Sequence, residues 1–132
     1  MVIFDSSIYI DDLRSGRFSE RIEGIGDLIR NSSVVLAELW RGATTGAEEK
    51  FLVWLANHYP VLTPGENNWI ESGQILRRVQ EDHGFEAAKL RDLHFDVPIA
   101  LTVRAHGARL VTSNRADFEL IRGYRAFKLE VW

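Results

Sequence analysis

Asp96-Val97-Pro98-Ile99-Ala100-Leu101, continuing to His106-Gly107, then Arg109-Leu110-Val111-Thr112-Ser113-Asn114 and Asp117-Phe118, is the stretch whose reading decides the fold. Asp96 reads as a helix N-cap, with Pro98 in the first turn, where its missing N–H has no intrahelical partner to lose. Gly107 ends that helix, and Arg109 to Thr112 has the apolar, β-rich character of a buried strand. Ser113-Asn114 reads as a turn, Asp117 to Ile121 as a short helix and Arg125 to Trp132 as a closing strand. Helix, buried strand, helix, strand is the order of a parallel sheet covered by helices, so the expected class is α/β.

Working outward, Val2-Ile3-Phe4 ends at Asp5 and passes into Ser6 to Ile10, which reads as a first strand delivering a carboxylate at its C-terminal end. A helix is expected from about Ser19 to Arg30 on the spacing of Ile22, Ile25 and Ile29, broken by Asn31-Ser32-Ser33. Val34-Val35-Leu36 reads as a second short strand, and Ala37 to Arg41 as a helix with Glu38 on its first turns and Gly42 at its end. Helices follow over about Ala47–His58 and Glu66–His83, separated by an extended piece between Pro60 and Pro64. Phe85 to Phe95 carries a mixed pattern and gives no assignment.

At 132 residues the chain fits one domain, and no repeat, low-complexity run or linker divides it. An apolar share of 45% with 27% charged residues is enough to build a core and places the chain in the globular class. The absence of cysteine excludes disulfides, thiolate metal sites and a cysteine nucleophile. The start of the chain lacks the pattern of a signal peptide and no apolar run is long enough to span a bilayer, so the expected location is the cytoplasm. A net charge of −3 works against phosphate binding unless a divalent cation offsets local carboxylates and itself receives phosphate oxygens.

In open parallel sheets, ligands gather beyond the carboxyl ends of the strands. Asp5 follows the first strand, Glu38 opens the helix after the second, Asp96 opens the helix before the Arg109–Thr112 strand, and Asp117 follows that strand. Four carboxylates meeting at one edge repel each other unless a cation, a shared proton or a basic partner neutralises them. An all-oxygen donor set favours Mg²⁺ or Mn²⁺ over zinc. The chemistry such a site supports is phosphodiester hydrolysis, in which the metal lowers the pKa of a bound water and stabilises the leaving oxygen. Each carboxylate also has a plainer reading: Asp5 and Asp96 as helix caps, Glu38 as a solvated helix residue, Asp117 as a favourable charge at a helix start.

The same residues resemble the PIN-domain family, and within it the VapC-type toxins. The resemblance rests on Val2-Ile3-Phe4-Asp5-Ser6-Ser7, on Ser33 to Ala43 with Glu38-Leu39 and Gly42-Ala43, and on the Asp96 to Phe118 stretch, in that order and spacing across nearly the whole chain. It implies a PIN-like three-layer fold with a mostly parallel central sheet, and a Mg²⁺- or Mn²⁺-dependent endoribonuclease. It further implies inhibition by a cognate VapB-type antitoxin, and a homodimer. Carried over by position, Asp5 and Asp96 are the principal metal ligands, Glu38 and Asp117 complete the acidic set, and Ser7 stands near the metal's hydration shell. Asn114 departs from the pattern, since some relatives carry another aspartate there; less negative charge favours one tightly held ion.

Asp92, four residues before Asp96, exchanges roles with it if the helix boundary is misplaced; Asp96 is preferred and Asp92 is read as a solvated neighbour. The four histidines show no metal-ligand spacing and receive no catalytic role. Among the arginines, Arg41, one turn after Glu38, and Arg115, beside Asp117, are the candidates for RNA contact. Trp40, Trp54 and Trp69 suit either the core or a partner-binding groove, with at least two of them expected in the core. A PIN-like module that binds a partner or nucleic acid without cutting is the alternative from another functional class. A glycine-rich phosphate loop, an aspartyl phosphatase pair and a phosphoacceptor acidic pocket are all missing from the Asp5-Ser6-Ser7 turn.

Overall fold

A computed structural model describes residues 1–132. Five short strands, β1 (Val2–Phe4), β2 (Ile29–Ser32), β3 (Val61–Leu62), β4 (Arg109–Thr112) and β5 (Lys128–Val131), form one sheet in the order β3-β2-β1-β4-β5. Every neighbouring pair is parallel; Val2 stands opposite Ile29 on one side and Arg109 on the other. Parallel neighbours need crossovers, and seven helices supply them: α1 (Ser6–Ser15), α2 (Ser19–Glu23), α3 (Ser33–Gly42), α4 (Gly46–His58), α5 (Glu66–His83), α6 (Ala87–Ala105) and α7 (Arg115–Arg122). The strands at the centre, β1 and β4, are buried almost throughout, as an apolar run covered on both faces must be. Ile3, Phe4, Leu110 and Val111 form the middle of one core with Ile8, Leu55, Ile75, Leu93, Ile99, Phe118 and Ile121 from the surrounding helices.

Three expectations from the sequence are corrected. The helix expected to run to Arg30 ends at Glu23, and the second strand lies at Ile29–Ser32 rather than Val34–Leu36. Gly24 and Gly26 interrupt the helical run, and Val2 then captures the chain by donating to the Leu28 carbonyl at 2.8 Å. The Ser32 hydroxyl accepts the Val35 N–H at 3.3 Å and starts α3, so the β-branched pair Val34-Val35 packs from a helix's first turn. Ser6 to Ile10 belongs to α1, while β1 covers Val2–Phe4 with Asp5 directly after it, as the sequence indicated.

The second correction concerns Asp96, which caps nothing: it lies in the middle of α6, a helix that starts at Ala87 after Glu86. Ala87, Ala88, Lys89, Leu90 and Arg91 are good helix formers, and they carry the helix back through the stretch that showed no clear pattern. Pro98 therefore sits inside a helix, a placement that costs about 3 kcal/mol in isolation. The helix holds because its second half, Leu93 and Val97 through Val103, is buried against the sheet, while His94, whose carbonyl loses its partner, is solvent-exposed.

The third correction is that Trp40, Trp54 and Trp69 are all exposed, at 44%, 48% and 47%. The inward faces of their helices are already filled by Leu36 and Leu39, by Leu52 and Leu55, and by Ser72, Ile75 and Val79. No helix is long and apolar enough to cross a membrane.

Candidate active site

The β1–α1 and β4–α7 turns lie side by side at the carboxyl edge of the sheet, and a cleft of about 660 Å³ opens above them. Its walls carry Asp5, Glu38, Asp96 and Asp117, so the four carboxylates singled out from the sequence converge. Asp92, Ser6, Ser7 and Asn114 line it too, together with the cationic Arg41 and Arg91, His94, and the apolar Ile10 and Phe95.

Asp5 is 3% exposed and holds the N-cap position of α1 by backbone conformation, yet its side chain makes no capping hydrogen bond. Its Oδ2 accepts instead from the Ser7 hydroxyl at 2.8 Å and the Thr112 hydroxyl at 2.9 Å. Burial raises its pKa, and the Ser7 and Thr112 hydroxyls counter this more than the Ser6 and Ser7 amides do. Ser7 Oγ also accepts the Ser113 N–H at 3.1 Å and Thr112 Oγ1 accepts the Asn114 N–H at 2.9 Å. The hydroxyls thus tie both turns to one carboxylate and fix its orientation toward the cleft.

Asp96 reaches the cleft from α6 and is 8% exposed. Burial, followed by the charges of Asp5, Glu38, Asp117 and Asp92, pushes its carboxyl up to about 9. Glu38, half-buried on α3, is pushed up to about 7 by burial and then by Asp5, with Arg41 opposing. Its Oε1 is buried without a hydrogen-bond partner. Asp117 is held on both oxygens, Oδ1 by Lys89 Nζ and Oδ2 by Asn114 Nδ2 at 3.1 Å. Asn114 in turn caps α7, accepting the Asp117 N–H at 3.5 Å. Asp92, one turn before Asp96 on α6, is exposed at the cleft margin.

Of the two arginines proposed for RNA contact, Arg41 lies in the cleft wall with its guanidinium 5.2 Å from the centre of the Phe95 ring. Arg115 points along α7 instead and pairs with Glu119 at 3.3 Å. Sequence reading passed over Thr112, Arg91 and Lys89. Thr112 had a visible signal as a hydroxyl at the end of a strand that feeds the site; Arg91 and Lys89 fell in the unassigned 85–95 stretch.

The donor set fits a hard divalent cation: apart from His94, the uncharged and anionic donors on the cleft wall are carboxylates, hydroxyls and the Asn114 amide, and one buried Glu38 oxygen has no partner. As the side chains stand, no three His, Asp or Glu groups form a coordination cage.

No family model matches the chain. Among curated proteins, 76 of its residues, 58% of the chain, are 32% identical to a β-glucosidase of Agrobacterium sp.; the chain spans 16% of that protein's length. Solved structures match over the whole chain. A chain of VapBC2 from Rickettsia felis, bound to a DNA fragment from its promoter, superposes with a TM-score of 0.75 at 23% identity, covering 100% of this chain and 99% of that one. A chain of VapBC-1 from nontypeable Haemophilus influenzae gives 0.73 at 20% identity, with 100% and 98% covered. A chain of DNA-bound VapBC from Salmonella typhimurium gives 0.72 at 23%, with 99% and 97% covered. Identities this low speak for architecture, and the architecture is the PIN-like α/β fold that this chain shares with them.

Proposed function

We propose that the protein is a metal-dependent endoribonuclease and the toxin of a VapBC-type pair. The observation that carries this reading is the convergence of Asp5, Glu38, Asp96 and Asp117 on one cleft at the carboxyl edge of a PIN-like sheet. A Mg²⁺ or Mn²⁺ ion, when bound, supplies a water of lowered pKa and stabilises charge on the leaving oxygen. Asp5 and Asp96 would hold that ion, with Glu38 beside them; Ser7 and Thr112 keep Asp5 aimed by donating to it, and oppose the rise in its pKa that burial causes. An ion there would compete with the protons that burial, and after it the neighbouring carboxylates, favour on Asp96 and Glu38. Arg41, braced on Phe95, offers guanidinium donors to a phosphate entering the cleft.

Support for the toxin role comes from the match along the full chain to VapBC chains. The partner would be a VapB-type antitoxin, and the protein a homodimer. Exposed Trp40, Trp54 and Trp69 are aromatic surface of the kind that partner contacts cover.

Incubation of the purified chain with structured RNA tests the enzymatic reading. Cleavage is expected with Mg²⁺ or Mn²⁺, loss of it with a chelator, and a fall to background for Asp5→Ala. Equal cleavage by both proteins removes Asp5 from the chemistry. No cleavage by either, with antitoxin binding retained, favours the binding-only module.

A further inference from the structure

We propose that Lys89 is a built-in counter-cation for Asp117 and so limits the cleft to one divalent ion, an inference that rests on the cleft being a metal site. Lys89 stands in the first turn of α6, where a positive charge opposes the helix macrodipole. Arg14, Arg41, His58, His83, Arg104 and Arg122 lie in last turns, where the dipole favours them; Arg115, in the first turn of α7, shares the adverse placement and pairs with Glu119 on its own helix. What Lys89 gains at this adverse position is Asp117, whose Oδ1 its Nζ contacts across 28 residues of sequence. The carboxylate is only 10% exposed, while the lysine stem reaches it from a 37% exposed position.

The pairing divides the cleft. On the α7 side, Asp117 has an ammonium on one oxygen and the Asn114 amide on the other, so its negative charge is already matched by a cation and it competes less well for an ion. On the other side, Glu38 Oε1 is buried with no hydrogen-bond partner and no cation pairs with it. Two-metal centres place their ions about 3.5–4 Å apart over shared carboxylates. Here the Lys89 ammonium, tethered on Asp117, puts a positive charge on that side of the cleft and repels a second ion there. Lys89 acts through Asp117 and is a positioning residue rather than a catalytic one.

Calorimetric titration of the full chain with Mn²⁺ and with Mg²⁺ reads the stoichiometry directly, and Mn²⁺ electron paramagnetic resonance tells an isolated ion from a coupled pair. One ion is expected for wild type and for Lys89→Arg, and two for Lys89→Met, with a spin-coupled signal appearing only in the last. Lys89→Gln serves as a second neutral variant if the methionine fails to fold, judged by circular dichroism. One ion of unchanged affinity in both neutral variants overturns the role of Lys89 and leaves the metal site standing, as does a second ion in wild type. No ion in wild type, matching Asp96→Asn, removes the metal site and this proposal with it.

Discussion

Asp96 carries the sharpest electrostatic conflict in the molecule: a carboxyl 8% exposed, facing Asp5, Glu38, Asp117 and Asp92, and pushed up to about 9 from an ordinary 3.8. Without a divalent ion, the folded state holds a proton on Asp96 that the unfolded chain has already released above pH 3.8. Between about 4 and 9 the native protein therefore binds more protons than the unfolded one, and its stability falls as pH rises. Glu38, moved from 4.5 to about 7, adds a fall of the same sign over a narrower range. Thermal melts in chelator across this range are expected to show that decline, with a shallower one for Asp96→Asn, which has no charge to bury. A wild-type slope no steeper than that of the variant would show that burial and the neighbouring carboxylates do not raise the Asp96 carboxyl. On the proposed reading, a cation entering the cleft would displace the proton that steadies Asp96, which would link fold stability and site chemistry through one side chain.

At the level of elements, the turns after β1 and β4 do the work of gathering the site, and both were legible. Val2-Ile3-Phe4 could only be a short buried strand, and Asp5 after it lay where the carboxyl edge of a parallel sheet must be. Arg109 to Thr112 had the same clarity, and the strand bounds agree to the residue. The shifted elements were those whose local pattern was outweighed by partners distant in sequence. Ile29 is spaced for a helix with Ile22 and Ile25 but pairs with Val2 across the sheet. Asp96-Val97-Pro98 looks like a helix start until the alanines before it extend the helix by three turns of local propensity. Trp54 looked like core because aromatic side chains carry so much apolar area; it stacks on His58 at 4.5 Å on the outside. Asn31 shows how a polar residue can serve an element: on β2, its Nδ2 donates to the carbonyls of Leu55 at 2.7 Å and Tyr59 at 3.0 Å, fastening the end of α4 to the sheet. Asn31→Leu leaves both carbonyls without that donor and is expected to lower stability by about 1–3 kcal/mol in urea unfolding. Hydrogen exchange should quicken mainly around the end of α4 and β3. An unchanged urea midpoint would mean that those bonds hold nothing.

For the molecule as a whole, the fold solves a charge problem in order to create a site. A chain of net charge −3 concentrates carboxylates at one edge of its sheet, which weakens any direct attraction for a nucleic-acid backbone. Arg41 and Arg91 soften that field in the cleft wall, and Lys89 cancels Asp117. What remains, around Asp5, Glu38 and Asp96, is a pocket of crowded carboxyl groups without a basic partner in ion-pair contact, where the proposed reading puts one hard cation to receive an anionic substrate. Anomalous scattering from a crystal soaked in Mn²⁺ tests this most directly. A single peak within coordination distance of the carboxylates of Asp5 and Asp96 is the expected result; a cleft without anomalous density, in crystals whose Mn²⁺ is bound elsewhere on the surface, would contradict it.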